Sequence, residues 1–139
     1  MDTLTPEERS VRMGLVRSKN TKPEMIVRRM IHRMGFRYRL HDARLPGTPD
    51  LVFRSQKLAI FVHGCFWHRH EGCALTRWPK SRLAFWEEKL ESNRARDRQV
   101  LSRITEMNWR VLVVWECELH DQERLRSTLC RFLTNQETC

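Results

Sequence analysis

The chain has 139 residues, and its 26 lysines and arginines against 17 aspartates and glutamates give a formal net charge of +9. That length suits a single domain with one core, and no stretch approaches the ~18 apolar residues that a membrane span requires. The first twenty residues lack the apolar segment of a signal peptide, so we expect a cytoplasmic protein without a membrane anchor. The positive charge indicates a polyanionic partner, most simply nucleic acid.

The beginning of the chain is predicted to be an arm. Residues 1–20 are polar, contain several basic side chains and have only scattered apolar positions. A segment of this composition gains order against a partner more readily than alone. We therefore expect an N-terminal DNA-contacting arm, 1–20, followed by a single domain, 21–139.

A helix is predicted to begin at Thr21. Thr21 and Glu24 have the spacing of a capping box, and Pro23 suits the first turn of a helix. Apolar side chains then recur at helical spacing as far as Gly35, which favours the end of a helix. Alternating apolar residues over 36–40 predict a strand after it.

Three further strands are predicted from apolar runs. Residues 51–53 follow a turn-rich segment, 45–50, and residues 58–63 are apolar on both faces, as in a central strand. Residues 109–115 form the third run.

The rest of the chain is predicted to be one loop and two helices. Residues 64–80 have no periodicity, Ser81 can cap a long helix to about Met107, and residues 121–133 suit a closing helix. The order of elements predicts an α/β fold with a central mixed sheet flanked by helices.

A zinc site is predicted from the spacing of cysteines and a histidine. Cys65, His70 and Cys73 follow the pattern C-x4-H-x2-C in one loop, and Cys117 comes just after the last predicted strand. Zinc prefers four thiolate or imidazole ligands in a tetrahedron, and a loop poor in aliphatic residues needs a cross-link of this kind. His68 follows Cys65 at the alternative spacing C-x2-H and is a second candidate ligand. Since four protein ligands leave no open position, the ion would be structural.

Asp50 is a candidate ligand of a catalytic metal. It begins a strand and is predicted to face the middle of the strand that ends at His63. A carboxylate in this place, together with a backbone carbonyl, can hold Mg²⁺, which can activate water against a phosphodiester. His63 and His68 would lie beside Asp50 if the strands pair as a hairpin, and a histidine can exchange a proton near neutral pH. Asp97, in the long predicted helix, could orient a catalytic histidine. Simpler roles are a capping residue in a Pro-Asp turn for Asp50 and an ion pair within the helix for Asp97.

Large aromatic residues adjoin the predicted zinc ligands. Phe66 and Trp67 could form a wedge that separates DNA bases, or a small core over the zinc. Trp86, in the long predicted helix, could join such a wedge or pack within the protein.

With these residues in place, the chain resembles the very short patch repair (Vsr) family of DNA mismatch endonucleases. The resemblance covers nearly the whole chain. It is carried, in chain order, by residues 17–20 (RSKN), 45–50 (LPGTPD), 61–68 (FVHGCFWH), 85–86 (FW), 93 (N), 96–97 (RD), 109–111 (WRV) and 115–117 (WEC).

The resemblance implies a restriction-endonuclease-like three-layer fold with a structural zinc site. It also implies a magnesium-dependent nick on the 5′ side of the mispaired thymine in a T·G mismatch, the lesion left when 5-methylcytosine deaminates. Asp50 would ligate Mg²⁺ together with the main-chain carbonyl of Val62, and His68 would be the general acid or base. The residues implied to bind waters around the metal or to orient other groups are Asp97, His63 and Glu24. The implied zinc ligands are Cys65, His70, Cys73 and Cys117.

The resemblance also implies how DNA is engaged. Phe66, Trp67 and Trp86 would enter the DNA beside the mismatch from the major groove, and Met13 on the arm from the minor groove. The expected protein is a monomer acting on double-stranded DNA with a T·G mismatch, and contacts with other mismatch-repair proteins are left open. Two alternatives are a small restriction-type endonuclease that cuts a matched site and a non-catalytic, zinc-stabilised DNA-binding module.

Overall fold

Within residues 20–136, which the computed structural model describes, four strands form one mixed sheet. The strands lie in the spatial order β1 (Arg39–Leu40), β2 (Leu51–Phe53), β3 (Leu58–His63) and β4 (Arg110–Trp115). β2 pairs antiparallel with β1 and with β3, whereas β3 and β4 are parallel. The prediction of a mixed sheet is therefore confirmed.

Helices cover both faces of this sheet. The helices of the described residues are α1 (Lys22–Arg33), α2 (Cys65–His68), α3 (Leu83–Glu106) and α4 (Gln122–Thr134). Because side chains alternate along a strand, Ile60 and Phe61 of β3 point to opposite faces. Ile60 packs in a core with residues of α1 and α4, whereas Phe61 packs with Ile104 of α3. The result is a three-layer arrangement, α1 and α4 on one side and α3 on the other.

The start of α1 differs in one respect from the predicted capping box. Thr21 caps the helix as expected, since its Oγ1 accepts a hydrogen bond from the Glu24 amide at 3.3 Å. The Glu24 side chain, however, accepts from the Asn20 amide at 3.2 Å, not from Thr21. It is only 2% exposed and also contacts Arg28 and His41. Glu24 therefore belongs to a buried polar group as well as to the helix end.

Three local predictions are wrong or incomplete. Ser81 is exposed and does not cap α3, which begins at Leu83 after Arg82 adopts a left-handed conformation with φ of 55°. The predicted loop 64–80 contains α2 and a 3₁₀ turn at Ala74–Thr76. The strand predicted over 36–40 is reduced to Arg39–Leu40, because the Phe36 amide still bonds to the Ile31 carbonyl at the end of α1.

The parallel pairing of β3 and β4 brings two chain segments together at one end of the sheet. His63 is the register partner of Trp115, so α2 and the 3₁₀ segment Glu116–His120 both start there. The Cys65 amide donates to Glu116 Oε1 at 3.0 Å and ties the segments to each other. This end of the sheet carries most of the predicted site residues.

The turn before β2 fits closely against α3. Gly47 has φ of +72°, and a Cβ there would collide with the side chain of Val100. Glycine is needed for two reasons: other residues rarely adopt this backbone conformation, and a side chain has no room beside Val100. Among the described helices, none has the length and apolar character required to cross a membrane.

Candidate functional site

Asp50 lies at the start of β2 and is largely buried. The pairing of Leu51 with Ile60 places its carboxylate against β3, where Oδ2 accepts a hydrogen bond from the Val62 amide at 2.7 Å. Burial, with repulsion from the neighbouring Glu24, raises the pKa of Asp50 to about 7, although the Val62 amide acts in the opposite direction. A cation beside the carboxylate would favour its charged form again. The contact formed with Val62 is through its amide, so a metal contact to its carbonyl stays a prediction.

Glu24 and His41 form a buried polar group beside Asp50. His41 Nε2 lies 3.0 Å from each carboxylate oxygen of Glu24, and Arg28 Nη1 lies 3.3 Å from one of them. The ligand atoms of Glu24, His41 and Asp50 all fall within 4.8 Å of one another. His41 was not predicted as a site residue. The one signal for it in the sequence is its position between the strand predicted over 36–40 and the turn-rich segment 45–50.

His68 forms a close pair with Asp97 of α3. Its Nδ1 lies 2.6 Å from Asp97 Oδ2, and its ring stacks on that of His63 with centroids 3.8 Å apart and planes 6° apart. Burial, and then the charge of His68, lower the pKa of His63 to about 3. His63 is therefore neutral at physiological pH. Its Nδ1 has no hydrogen-bond partner among residues 20–136.

One cavity of about 300 Å³ joins Asp50 to the His68–Asp97 pair. Asp50, directly before β2, and His68 of α2 line it, and Asp97 and Arg96 line it from α3. Asn93 fixes the position of α2 against α3, because its amide nitrogen donates to the Trp67 carbonyl at 3.3 Å. The full lining is Gly47, Thr48, Asp50, Phe61, Val62, His63, His68, Asn93, Arg96, Asp97, Val100 and Leu101.

The four predicted zinc ligands lie together at the end of the sheet. The ligand atoms of Cys65, His70, Cys73 and Cys117 all fall within 4.8 Å of one another. His70 Nδ1 is 3.6 Å from Cys65 Sγ and 3.4 Å from Cys117 Sγ, close to the ligand spacing of about 3.6 Å that tetrahedral zinc requires. The ring of Trp115 stacks on His70 at a centroid distance of 4.2 Å.

The donor chemistry of this cluster also fits zinc. Burial raises the pKa of the Cys65 thiol to about 12 and raises that of Cys117, so these thiols stay protonated unless a cation binds them. Four soft donors around one point are typical of a structural zinc site. Of the two candidate histidines, His70 lies with the cysteines, whereas His68 pairs with Asp97.

The predicted wedge residues form one aromatic cluster. Phe66 and Trp67 of α2 lie 5.7 and 5.9 Å, between ring centroids, from Trp86 of α3, and all three are partly exposed. Arg69 is nearly buried beside them, with its guanidinium 5.7 Å from the Phe66 ring and 4.0 Å from the Trp78 ring. It also donates to the Thr76 carbonyl at 2.6 Å. Met13, the fourth predicted wedge residue, lies outside the described residues.

Comparison with known proteins gives several relatives, among them a nicking enzyme and a mismatch endonuclease. The chain is 52% identical over 132 residues to the type II nicking enzyme V.XorIIP of Xanthomonas oryzae pv. oryzae. This match covers 95% of this chain and 96% of that protein. It is 43% identical over 117 residues to the DNA mismatch endonuclease Vsr of Escherichia coli, over 84% of this chain and 74% of that protein.

A solved structure has the same fold. The catalytic domain of the homing endonuclease I-Bth0305I superposes with a TM-score of 0.58 and 21% identity, over 84% of this chain and 97% of that one. This likeness bears on the fold alone. The family model of the DNA mismatch endonuclease Vsr matches residues 1–75, more than half of the chain. The chain therefore belongs to the Vsr family and is a DNA endonuclease.

Proposed function

We propose that this endonuclease nicks one strand of DNA on the 5′ side of the mispaired thymine in a T·G mismatch and so initiates very short patch repair. One observation carries the proposal: Asp50 and the His68–Asp97 pair line the same cavity. Asn93, which also lines this cavity, bonds to Trp67 of the aromatic cluster. The names of the relatives, a mismatch endonuclease and a nicking enzyme, agree with cleavage of a single strand.

Asp50 is the residue that would hold the catalytic metal, with the Val62 carbonyl as its partner. Magnesium, when bound, neutralises charge on the scissile phosphate and lowers the pKa of water. The protein supplies the position: the start of β2 directs the Asp50 carboxylate into the cavity from one side while α3 closes the other. Glu24, behind Asp50, orients the group from α1.

His68 is the proposed general acid or base. Asp97 holds its Nδ1, so Nε2 is the nitrogen left to exchange a proton with the attacking water or the leaving oxygen. The carboxylate of Asp97 also stabilises the imidazolium that forms during the transfer. His63 stays neutral, and by stacking on the His68 ring it fixes the orientation of that ring.

Phe66, Trp67 and Trp86 supply the proposed selectivity. Inserting aromatic rings between base steps costs a few kcal/mol of unstacking, and a weakly paired T·G is less costly to distort than a matched pair. Phe66 and Trp67 lie on α2, between the ligands Cys65 and His70. A bound zinc would therefore hold the wedge at a fixed place beside the cavity.

The substrate is tested with a hairpin duplex that carries one T·G pair and is labelled on the thymine strand. We expect a single nick 5′ of the thymine that requires Mg²⁺, and far slower cleavage when the pair is T·A. Equal cleavage of both duplexes would contradict the proposed mismatch specificity and favour a restriction-type endonuclease. Binding without any cleavage would remove the catalytic proposal.

The wedge is tested by Phe66→Ala. Contacts between aromatic rings and bases contribute about 1–3 kcal/mol each, so we expect nicking of the T·G duplex to fall about tenfold or more. The fluorescence of 2-aminopurine placed next to the mismatch should rise on binding of wild-type protein and less with the variant. Phe36→Leu is the control: Phe36 is partly buried against the core on the α1 and α4 side of the sheet, and its replacement should leave both signals unchanged. An unaltered fluorescence change in Phe66→Ala would contradict the wedge.

A further inference from the structure

The polar group of Glu24, His41 and Asp50 brings three elements to one buried point. Glu24 projects from α1, Asp50 directly precedes β2, and His41 follows β1 directly. The backbone holds the last two together, because the His41 amide donates to the Asp50 carbonyl at 3.1 Å. The three side chains are thus placed by the fold and need no rearrangement to meet.

The charge of this group favours a cation. Two carboxylates face one guanidinium, that of Arg28, which lies 3.3 Å from Glu24. When both carboxylates are charged and the imidazole is neutral, the group carries a net charge of −1 in a buried position, where an uncompensated charge is costly. A divalent ion would compensate it.

The distances in the group suit direct coordination. His41 Nε2 lies 3.0 Å from both Glu24 oxygens, and this pair carries the argument. The Asp50 carboxylate lies within 4.8 Å of both partners, near enough to join them around an ion after a small adjustment. Neighbouring ligands of an octahedral ion with bonds of about 2.1 Å are about 3.0 Å apart. An ion can therefore take the place of the hydrogen-bonded contact between His41 and Glu24.

We propose that Glu24, His41 and Asp50 form a cation site in which His41 supplies a nitrogen ligand, so that the site prefers Mn²⁺ or a similar first-row transition ion to Mg²⁺. The inference rests on the proposed function for the role of Asp50. Carboxylates and carbonyls suit Mg²⁺, whereas an imidazole ligand favours transition ions over it. Because Asp50 also belongs to the proposed Mg²⁺ site, His41 would allow Mn²⁺ to replace Mg²⁺ there.

The experiment uses zinc-loaded full-length protein without DNA and follows Mn²⁺ by electron paramagnetic resonance. We expect one site at which Mn²⁺ binds about tenfold more tightly than Mg²⁺ in competition. Electron spin-echo spectra of bound Mn²⁺ should show modulation by an imidazole nitrogen. His41→Gln should lose that modulation and most of the preference for Mn²⁺, while His32→Gln, an exposed histidine of α1, should keep both.

Nitrogen modulation that is missing from the wild type, or that persists in folded His41→Gln, would overturn the inference. The wild-type measurement stands even if the variant fails to fold. Asp50→Asn separates this inference from the proposed function. If it abolishes nicking and Mn²⁺ binding while His41→Gln changes neither metal preference nor spectrum, the role of His41 fails alone. If Mn²⁺ binds with nitrogen modulation but T·G duplex is never nicked, the metal site stands and the proposed function fails.

Discussion

We expect Asp50→Asn to lower the nicking rate on T·G duplex by about 10³-fold or more, equivalent to about 4 kcal/mol of transition-state stabilisation. Asparagine keeps the size of the side chain and removes the charge that would bind the metal beside the scissile phosphate. Because Asp50 lies inside the cavity, the change should leave the basic surface that attracts DNA as it is. Single-turnover nicking and equilibrium binding of labelled duplex measure the two effects separately.

Asp121→Asn is the matched control for this variant. Asp121 caps α4 by accepting a hydrogen bond from the Arg124 amide at 3.1 Å, and asparagine caps helices equally well. The control should therefore keep the wild-type rate. An Asp50→Asn protein that nicks within about tenfold of wild type would show that another group binds the catalytic metal.

The second large effect is expected from His70→Gln compared with His68→Gln. Removal of a zinc ligand should lower the zinc content below about 0.5 per chain. A loss of about 3 kcal/mol would lower the melting temperature by roughly 10 °C in a chain of this size. His68→Gln should retain zinc and the melting temperature, yet lower the nicking rate by about 10²-fold or more through loss of proton transfer.

The two variants act as controls for each other. They change histidines two positions apart, one among the cysteines and the other paired with Asp97. Metal analysis, thermal unfolding and nicking of the T·G duplex are measured on both. If His68→Gln loses the zinc and His70→Gln keeps it, the assignment of the two histidines must be exchanged.

Features encoded by local spacing could be predicted from the sequence. The runs that form β2, β3 and β4 are short and continuous, and their positions were predicted to within a residue. Family membership followed from blocks such as residues 61–68, and the comparisons confirm it. Cys117 was associated with the loop of Cys65 because strand ends often meet, and the register of β3 with β4 brings them together.

Features that depend on tertiary packing could not be predicted in this way. Spacing alone indicated that the side chain of Glu24 belongs to a local cap, and only the resemblance gave it a place at the site. In the fold this side chain contacts His41, 17 residues further along the chain. His41 itself has no spacing that marks it. The start of α3 was misplaced because the backbone of Arg82 turns left-handed, which the preceding Ser81 does not signal.

The contacts of Arg69 bear on how quickly the enzyme leaves undamaged DNA. Its guanidinium lies against Phe66 and Trp78 and donates a hydrogen bond to the Thr76 carbonyl. These contacts hold Phe66 of the aromatic cluster in position in the protein without DNA. A preformed surface loses little conformational entropy on binding. Binding must then deform the DNA and not the protein. Because a matched base pair resists this deformation more than a mismatch does, the complex with matched DNA should have the shorter lifetime. Discrimination would therefore be found in the dissociation rate, with similar association rates on matched and mismatched duplexes.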